Sequence, residues 1–329
     1  MKRRDFVVAA ALGVAAAIGF PAHGLAQEAP AGYPSRPIEM VVVYPAGGGM
    51  DVTARVLARE AERVLGHSFR VQNRTGGGGL VGHSWFANEA SADGYALGIF
   101  ANPNLALDFL AREGDFDADN FLPIAGINFT PTLWTVTTNG PLADLDFAGV
   151  IEKAKADPGS IRVSYVANNA FDFVIDLIEQ STGASFTKVP FQGGKPGVVA
   201  LLGGNIEVGS TFYDESEPQI RAGELKVLAA ADTERFSALP DVPTLDELGV
   251  PMSKGVWGAT RFVVVPPNTP EDIRNYLEGA MLKVMSDPQA VEAFRQAGIV
   301  VSPTDAETVQ RAYNESVEVL RDFLAGRDE

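Results

Sequence analysis

The sequence predicts an α/β protein built as two lobes. Three observations carry that prediction. Strand and helix signals alternate along the chain, the alternation restarts near residue 130, and a proline-rich passage over 238–251 precedes one more strand and a helical tail. Alternation of this kind implies a parallel sheet with helices on its faces. At 329 residues and 46% hydrophobic composition, the chain has enough apolar material for two domains. The predicted division is 33–131 for the first part of lobe 1, 132–232 for lobe 2, and 233–329 for a return to lobe 1 with C-terminal helices.

The elements follow in order. "PIEMVVVYP" reads as a strand and "MDVTARVLAREAERVLG" as an amphipathic helix ending at Gly66. "SFRVQN", "GLVGHSWFANEA" and "YALGIFA" continue as strand, helix and strand. The second unit reads "TLWTVTT" strand, "DFAGVIEKAKA" helix, "IRVSYVA" strand, "DFVIDLIEQSTG" helix and "FTKVPF" strand. It continues as "PGVVALLGG" helix, "IEVGSTF" strand, "SEPQIRAG" helix and "LKVLAAA" strand. "VWGATRFVVVPP" and three helical segments finish the chain. Two α/β lobes joined by crossing segments leave a cleft between them, where ligands preferentially bind.

The first 26 residues read as an export signal: a basic start "MKRRD", a small-residue apolar core, and "GLA" at the cleavage site. The paired arginines Arg3 and Arg4 fit a twin-arginine route as well as the general one. The expected location is the periplasm. The whole chain carries a formal charge of −16. Cleavage would remove Lys2, Arg3, Arg4 and Asp5, a net loss of two positive charges, leaving about −18. Nucleic acid is an unsuitable partner for such a chain. With no cysteine, disulfides, thiolate metal sites and cysteine nucleophiles are excluded.

Enzyme motifs fail one by one. Gly77 to Gly82 satisfies G-x-G-x-x-G, but the following strand ends at Asn102 where a ribose-binding acid is needed. No GK[ST] follows a glycine cluster, and "GHSWF" has Phe86 where a nucleophile elbow needs glycine. "DFDADN" lacks the glycine and glutamate of a calcium loop. His67 and His83 have no partner at metal-ligand spacing. No cofactor, no metal and no catalytic residue is expected, and a monomer is expected.

What remains is a binding design. Residues 45–53, 73–82, 167–172 and 191–197 each run from a strand end through glycine or small polar residues into a helix start. Helix N-termini offer unpaired N–H groups and partial positive charge, which suit a carboxylate or phosphate.

Five segments, in order and at suitable spacing, carry a family resemblance: "YPSRPIEMVVVYPAGGGMDVTARVLA", "VQNRTGGGGLVG", "ADGYALGIF", "VPFQGGKPGVVALLGGNIEV" and "IRAGELKVLAAADTERFSALPDVPTLDELG". Together they resemble the Bug family, the periplasmic solute-binding proteins of tripartite tricarboxylate transporters. The resemblance implies a two-lobed type II periplasmic binding protein fold that closes like a flytrap. It implies a small organic carboxylate ligand and membrane transporter subunits as partners. A soluble sensor signalling to a receptor, or a cleft enzyme acting on a carboxylate, are the alternatives.

Carried over by position, Tyr44, Pro45, Gly47, Gly48, Gly49, Asp51 and Thr53 form a first carboxylate loop, and Asn73, Gly77 and Gly78 a second. Gln192, Gly193, Gly194 and Lys195 begin a facing helix in the other lobe, where Lys195 either adds charge or stays solvated. Asp51 is expected as the helix N-cap, paired with Arg55. Asp214 matches a common family aspartate that holds either the pocket or a ligand amine. The family's longer glycine/serine loop is replaced here by "ANNAFDFV", with Asn168 and Asn169 for the serines and Asp172 at the usual histidine. Asp172 either caps its helix or faces the cleft. Facing the cleft, it would repel a second ligand carboxylate and favour a neutral or cationic distal group.

Overall fold

The computed structural model describes residues 28–112, 114–167 and 169–326. The expected export signal and Asn168 lie outside the described residues. The first lobe holds a five-stranded sheet in the order β2-β1-β3-β10-β4. Its strands are β1 (Ile38–Val42), β2 (Phe69–Asn73), β3 (Ala96–Asn102), β4 (Leu122–Pro131) and β10 (Gly258–Val265). β1 pairs in parallel with β2 and β3, and β10 lies antiparallel between β3 and β4.

The second lobe repeats this plan. β5 (Leu133–Thr137) lies antiparallel between β8 (Gly209–Thr211) and β9 (Leu225–Ala230). β6 (Arg162–Tyr165) and β7 (Thr187–Pro190) form a parallel pair, which a Val163–Val208 bridge joins to β8. The resulting order, β7-β6-β8-β5-β9, matches the first lobe strand for strand. In each lobe the antiparallel member comes from a crossing segment.

The helices are α1 (Gly49–Leu65), α2 (Leu80–Glu89), α3 (Asn104–Leu110), α4 (Phe147–Ala156), α5 (Ala170–Thr182), α6 (Gly194–Leu202), α7 (Tyr213–Arg221), α8 (Glu271–Ser286), α9 (Pro288–Gln296) and α10 (Ala306–Ala325). α1 stops where expected, at Gly66, whose φ of 73° suits glycine. One apolar cluster packs α1, α8 and α9 on one face of the first sheet, with Met40, Leu57, Met281 and Phe294 at its centre. A second runs from Phe86, Phe100 and Tyr313 on the other face into the second lobe through Trp134, Phe173 and Trp257. The end of α10 joins that passage, because Phe323 stacks against both Phe173 and Trp257.

Two elements escape the sequence reading, α3 and β4. The second rhythm begins, as expected, with a strand at "TLWTVTT", which is β5, but no loop precedes it. β4 runs to Pro131, and only Thr132 separates it from β5. Thr132 is the crossing point: its N–H donates to Trp257 O at 3.1 Å and its carbonyl accepts from Ala231 N at 2.8 Å. Both crossing segments are therefore pinned at one residue.

Candidate functional site

The loops after β1, β2, β6 and β7 face one another, and side chains span the gap. Lys195 Nζ, in the second lobe, donates to Gly47 O at 3.3 Å in the first. Arg112 Nη2, in the first lobe, donates to Ala167 O at 3.4 Å in the second. The lobes thus touch along the cleft.

The helix ends differ in how they are capped, and α3, α7 and α8 begin at Pro103, Phe212 and Pro270 with no side-chain cap bond. Helices α4, α5, α9 and α10 are capped by the side chains of Asp146, Asn169, Asp287 and Asp305, which accept first-turn N–H bonds. Helices α1, α2 and α6 instead have Gly48, Gly79 and Gly193 at the cap, with no side-chain bond. The first N–H groups of a helix have no carbonyl within it to bond. At these three ends, which sit on the cleft loops, no side chain takes the first-turn donors, although Val81 N of α2 bonds Gly76 O at 3.4 Å. Of the four anion-binding segments expected from sequence, only 167–172 caps itself, with Asn169 Oδ1 accepting from Phe171 N at 2.9 Å.

Side chains brace the first loop. Asp51 stands at the third helical position, not at the cap, which is Gly48. From there its carboxylate reaches back to Gly47 N at 2.8 Å and also takes Arg55 Nε at 2.9 Å and Asn73 Nδ2 at 2.9 Å. Asn73 Nδ2 also donates to Tyr44 O at 3.0 Å, tying the loop after β1 to the end of β2. Burial pushes the Asp51 carboxyl up, but the bonds from Arg55, Gly47 and Asn73 outweigh it and hold the pKa below its usual value. Asp51, Thr53 and Asn73 therefore shape this loop. The Thr53 hydroxyl donates to Gly49 O at 2.8 Å, and the Tyr44 hydroxyl accepts from Asn104. In the second loop Gly76 to Gly79 all have positive φ, which side-chain-bearing residues rarely adopt.

Gly49 and Gly194 serve close packing. A Cβ on Gly49 would collide with the Asp214 carboxylate, and one on Gly194 with the Glu215 carboxylate. These adjacent acids open α7 and support one helix end of each lobe. Asp214 forms a buried pair with Arg261, its oxygens 3.1 and 2.9 Å from Nη2, so it holds the pocket and is not presented to a ligand amine. Glu215 accepts from Phe212 N at 3.1 Å. Burial, reinforced by Asp214, pushes its carboxyl up to about 7 against the opposing pull of Phe212 N–H, Arg261 and Lys195.

Asp172 requires a correction. It neither caps α5, a task Asn169 performs, nor presents an unpartnered carboxylate to the cleft. It is buried and paired with Lys188 Nζ at 2.8 Å, which also binds Asp176. Burial lowers the Lys188 pKa, but the two carboxylates overcome this and raise it, so the ammonium keeps its charge beside them. The argument that Asp172 repels a second ligand carboxylate loses its basis. Gln192 is exposed beside Gly193.

Sequence reasoning missed Arg261, Glu215 and Arg112. Arg261 left a signal, being the one charge within the strand run "GATRFVVV". Arg112 sits four residues after Asp108, a helical ion-pair spacing, but just past the end of α3, a helix that was not anticipated. A separate cavity of about 700 Å³ lies behind the cleft, between β4, β10 and α10. Among the described residues no group of three or more acidic or histidine side chains is placed to hold a metal, and no helix is long and apolar enough to cross a membrane.

A family profile described as "Tripartite tricarboxylate transporter family receptor" matches residues 53–324. The chain belongs to this family. The receptor is 31% identical over 300 residues to protein BugT of Bordetella pertussis, covering 85% of this chain and 88% of that one. A TctC solute-binding protein structure from Polaromonas superposes with a TM-score of 0.72 at 28% identity, over 89% of this chain and 99% of that one. An R. palustris protein solved with adipate superposes at 0.75 and 25% identity, over 88% and 96% of the two chains. The two-lobed fold is that of these periplasmic solute-binding proteins, and the family binds small carboxylates.

Proposed function

We propose that this receptor captures a small organic carboxylate in the periplasm and delivers it to the membrane subunits of a tripartite transporter. It acts as a monomer and does not turn its ligand over. The observation that carries the reading is that the loops after β1, β2 and β7 open helices with glycine at the cap and no capping side chain, where α4, α9 and α10 carry Asp caps. A ligand carboxylate at such an end gains N–H bonds and the favourable end of the helix dipole. That local attraction opposes the repulsion from the chain's net negative charge. Gly47, Gly48, Gly77 and Gly78 offer backbone from the first lobe, and Gly193, Gly194 and Lys195 face them. Contacts made by both lobes exist only when the cleft is shut, so binding favours closure. Adipate bound to the R. palustris relative supports carboxylate chemistry here.

The test is native mass spectrometry of freshly purified protein, followed by a thermal-shift and calorimetric screen of mono-, di- and amino-carboxylates. Matched uncharged amides and nucleotides serve as controls. Saturable binding of a carboxylate, with no response to its amide, is expected. Tight nucleotide binding, or no response to any carboxylate, would overturn the reading.

A further inference from the structure

Behind the second glycine loop lies a buried relay that the carboxylate grip does not use. His83, fully buried on α2, has Nδ1 2.6 Å from Asp108 Oδ2 on α3. The other oxygen, Asp108 Oδ1, accepts from Arg112 Nη1 at 2.7 Å. Burial lowers the His83 pKa more than Asp108 raises it, so the ring is neutral and donates through Nδ1. The single negative charge of Asp108 is then directed at Arg112, which it orients.

Arg112 stands where the two lobes meet. Nη1 lies 3.5 Å from Gly77 O and 3.4 Å from Gly78 O, and Nη2 lies 3.4 Å from Ala167 O across the cleft. A Cβ on Gly78 would come within 2.9 Å of Nη1, so the bare glycine makes room for the guanidinium. The three carbonyl bonds are at the long end of the hydrogen-bond range and are individually weak. An anionic oxygen in place of a carbonyl would make a shorter, charge-assisted bond, with the fork geometry suited to a carboxylate. Asp172, the nearby acid of the facing helix, is offset by Lys188.

We propose that Arg112 is a specificity-determining residue. Its guanidinium receives the second anionic group of a ligand whose first carboxylate lies on the glycine-capped helix ends, and by engaging Ala167 it couples that group to closure. Asp108, steadied by His83, is its positioning residue. The inference rests on the receptor reading above.

Titration calorimetry with adipate against hexanoate, and succinate against butanoate, tests it in wild type, Arg112→Gln, Arg112→Lys and Asp108→Asn. The expected wild type prefers at least one diacid over its monoacid by about 30-fold or more, in line with a desolvated charge contact. Arg112→Gln should lose about 10-fold or more for that diacid and less than about threefold for the monoacid. Arg112→Lys and Asp108→Asn should fall between. If Arg112→Gln does not fold, Arg112→Lys decides on the same comparison. Equal losses for both acids, an unchanged diacid preference, or no diacid preference in wild type would overturn the assignment while leaving a carboxylate receptor standing. Binding of no acid at all would instead remove the receptor reading and this inference with it.

Discussion

Asp214 and Glu215 are neighbours in sequence, yet they support the two walls of the cleft in different ways. Asp214 lies against Gly49 of the first wall and is held by Arg261, with both partners nearly free of solvent. Glu215 lies against Gly194 of the second wall and makes its hydrogen bonds to the Phe212 N–H and the Thr211 hydroxyl. The first wall is further fixed by Asp51, Arg55 and Asn73. Among the described residues, the second takes the backbone bond of Phe191 N to Tyr165 O at 2.8 Å, beside the Lys195 contact across the gap. The difference shows how one cleft can be both constant and selective. On the proposed reading, a pre-organised wall would grip the group all ligands share and a less constrained wall would adapt to the remainder.

The comparison breaks most severely at Asp214. Asp214→Ala leaves Arg261 charged, buried and unpaired, and should destabilise the fold by about 3–5 kcal/mol in denaturant unfolding. Replacing both partners with apolar residues should cost markedly less. A single-mutant loss below about 1 kcal/mol would mean the pair does not anchor the first wall.

Glu215 should show itself through pH. Its folded pKa of about 7 lies above the ordinary 4.5, so its contribution to stability is complete below pH 4.5 and is lost as pH rises through 7. Thermal stability should therefore fall between roughly pH 5 and 8, by up to about 3 kcal/mol. Glu215→Gln should flatten that slope. An equal slope in the variant would place the titrating group elsewhere.

A smaller effect is expected from Asn73→Ala, which unties the loop after β1 from β2. It should cost about 1–2 kcal/mol in stability and weaken every carboxylate by a similar factor. A change in the ranking of carboxylates would mean that the first wall also selects.

The alternation of strands and helices, the glycine stop of α1 and the paired lobes were readable in the sequence because periodicity and turn chemistry are local. β4 and α3 were not. β4 is nearly all buried, so its apolar run does not alternate, and a link between the lobes as short as the one residue Thr132 has no local signature. The glycine loops announced themselves, but the partners that decide each acid's role come from far along the chain. Asp51 pairs with Arg55 as expected because that partner is close by, although it stands at the third helical position and Gly48 is the cap. Asp172 does not behave as expected, and the two roles left open for Asp214 were not separable by sequence, because Lys188 and Arg261 reach them only through the fold.

The central claim is that the glycine-capped helix ends await a ligand's carboxylate. Gly48 tests it directly, since its φ of −75° and ψ of 167° suit any residue and a Cβ there meets only Pro45 O at 3.4 Å. Gly48→Asp would give α1 a cap of its own, as Asp146 and Asp305 do for α4 and α10. Titration calorimetry with the acid that binds wild type best should show a loss of about 100-fold or more, while stability changes by only a few tenths of a kcal/mol. Wild-type affinity in Gly48→Asp would contradict the account.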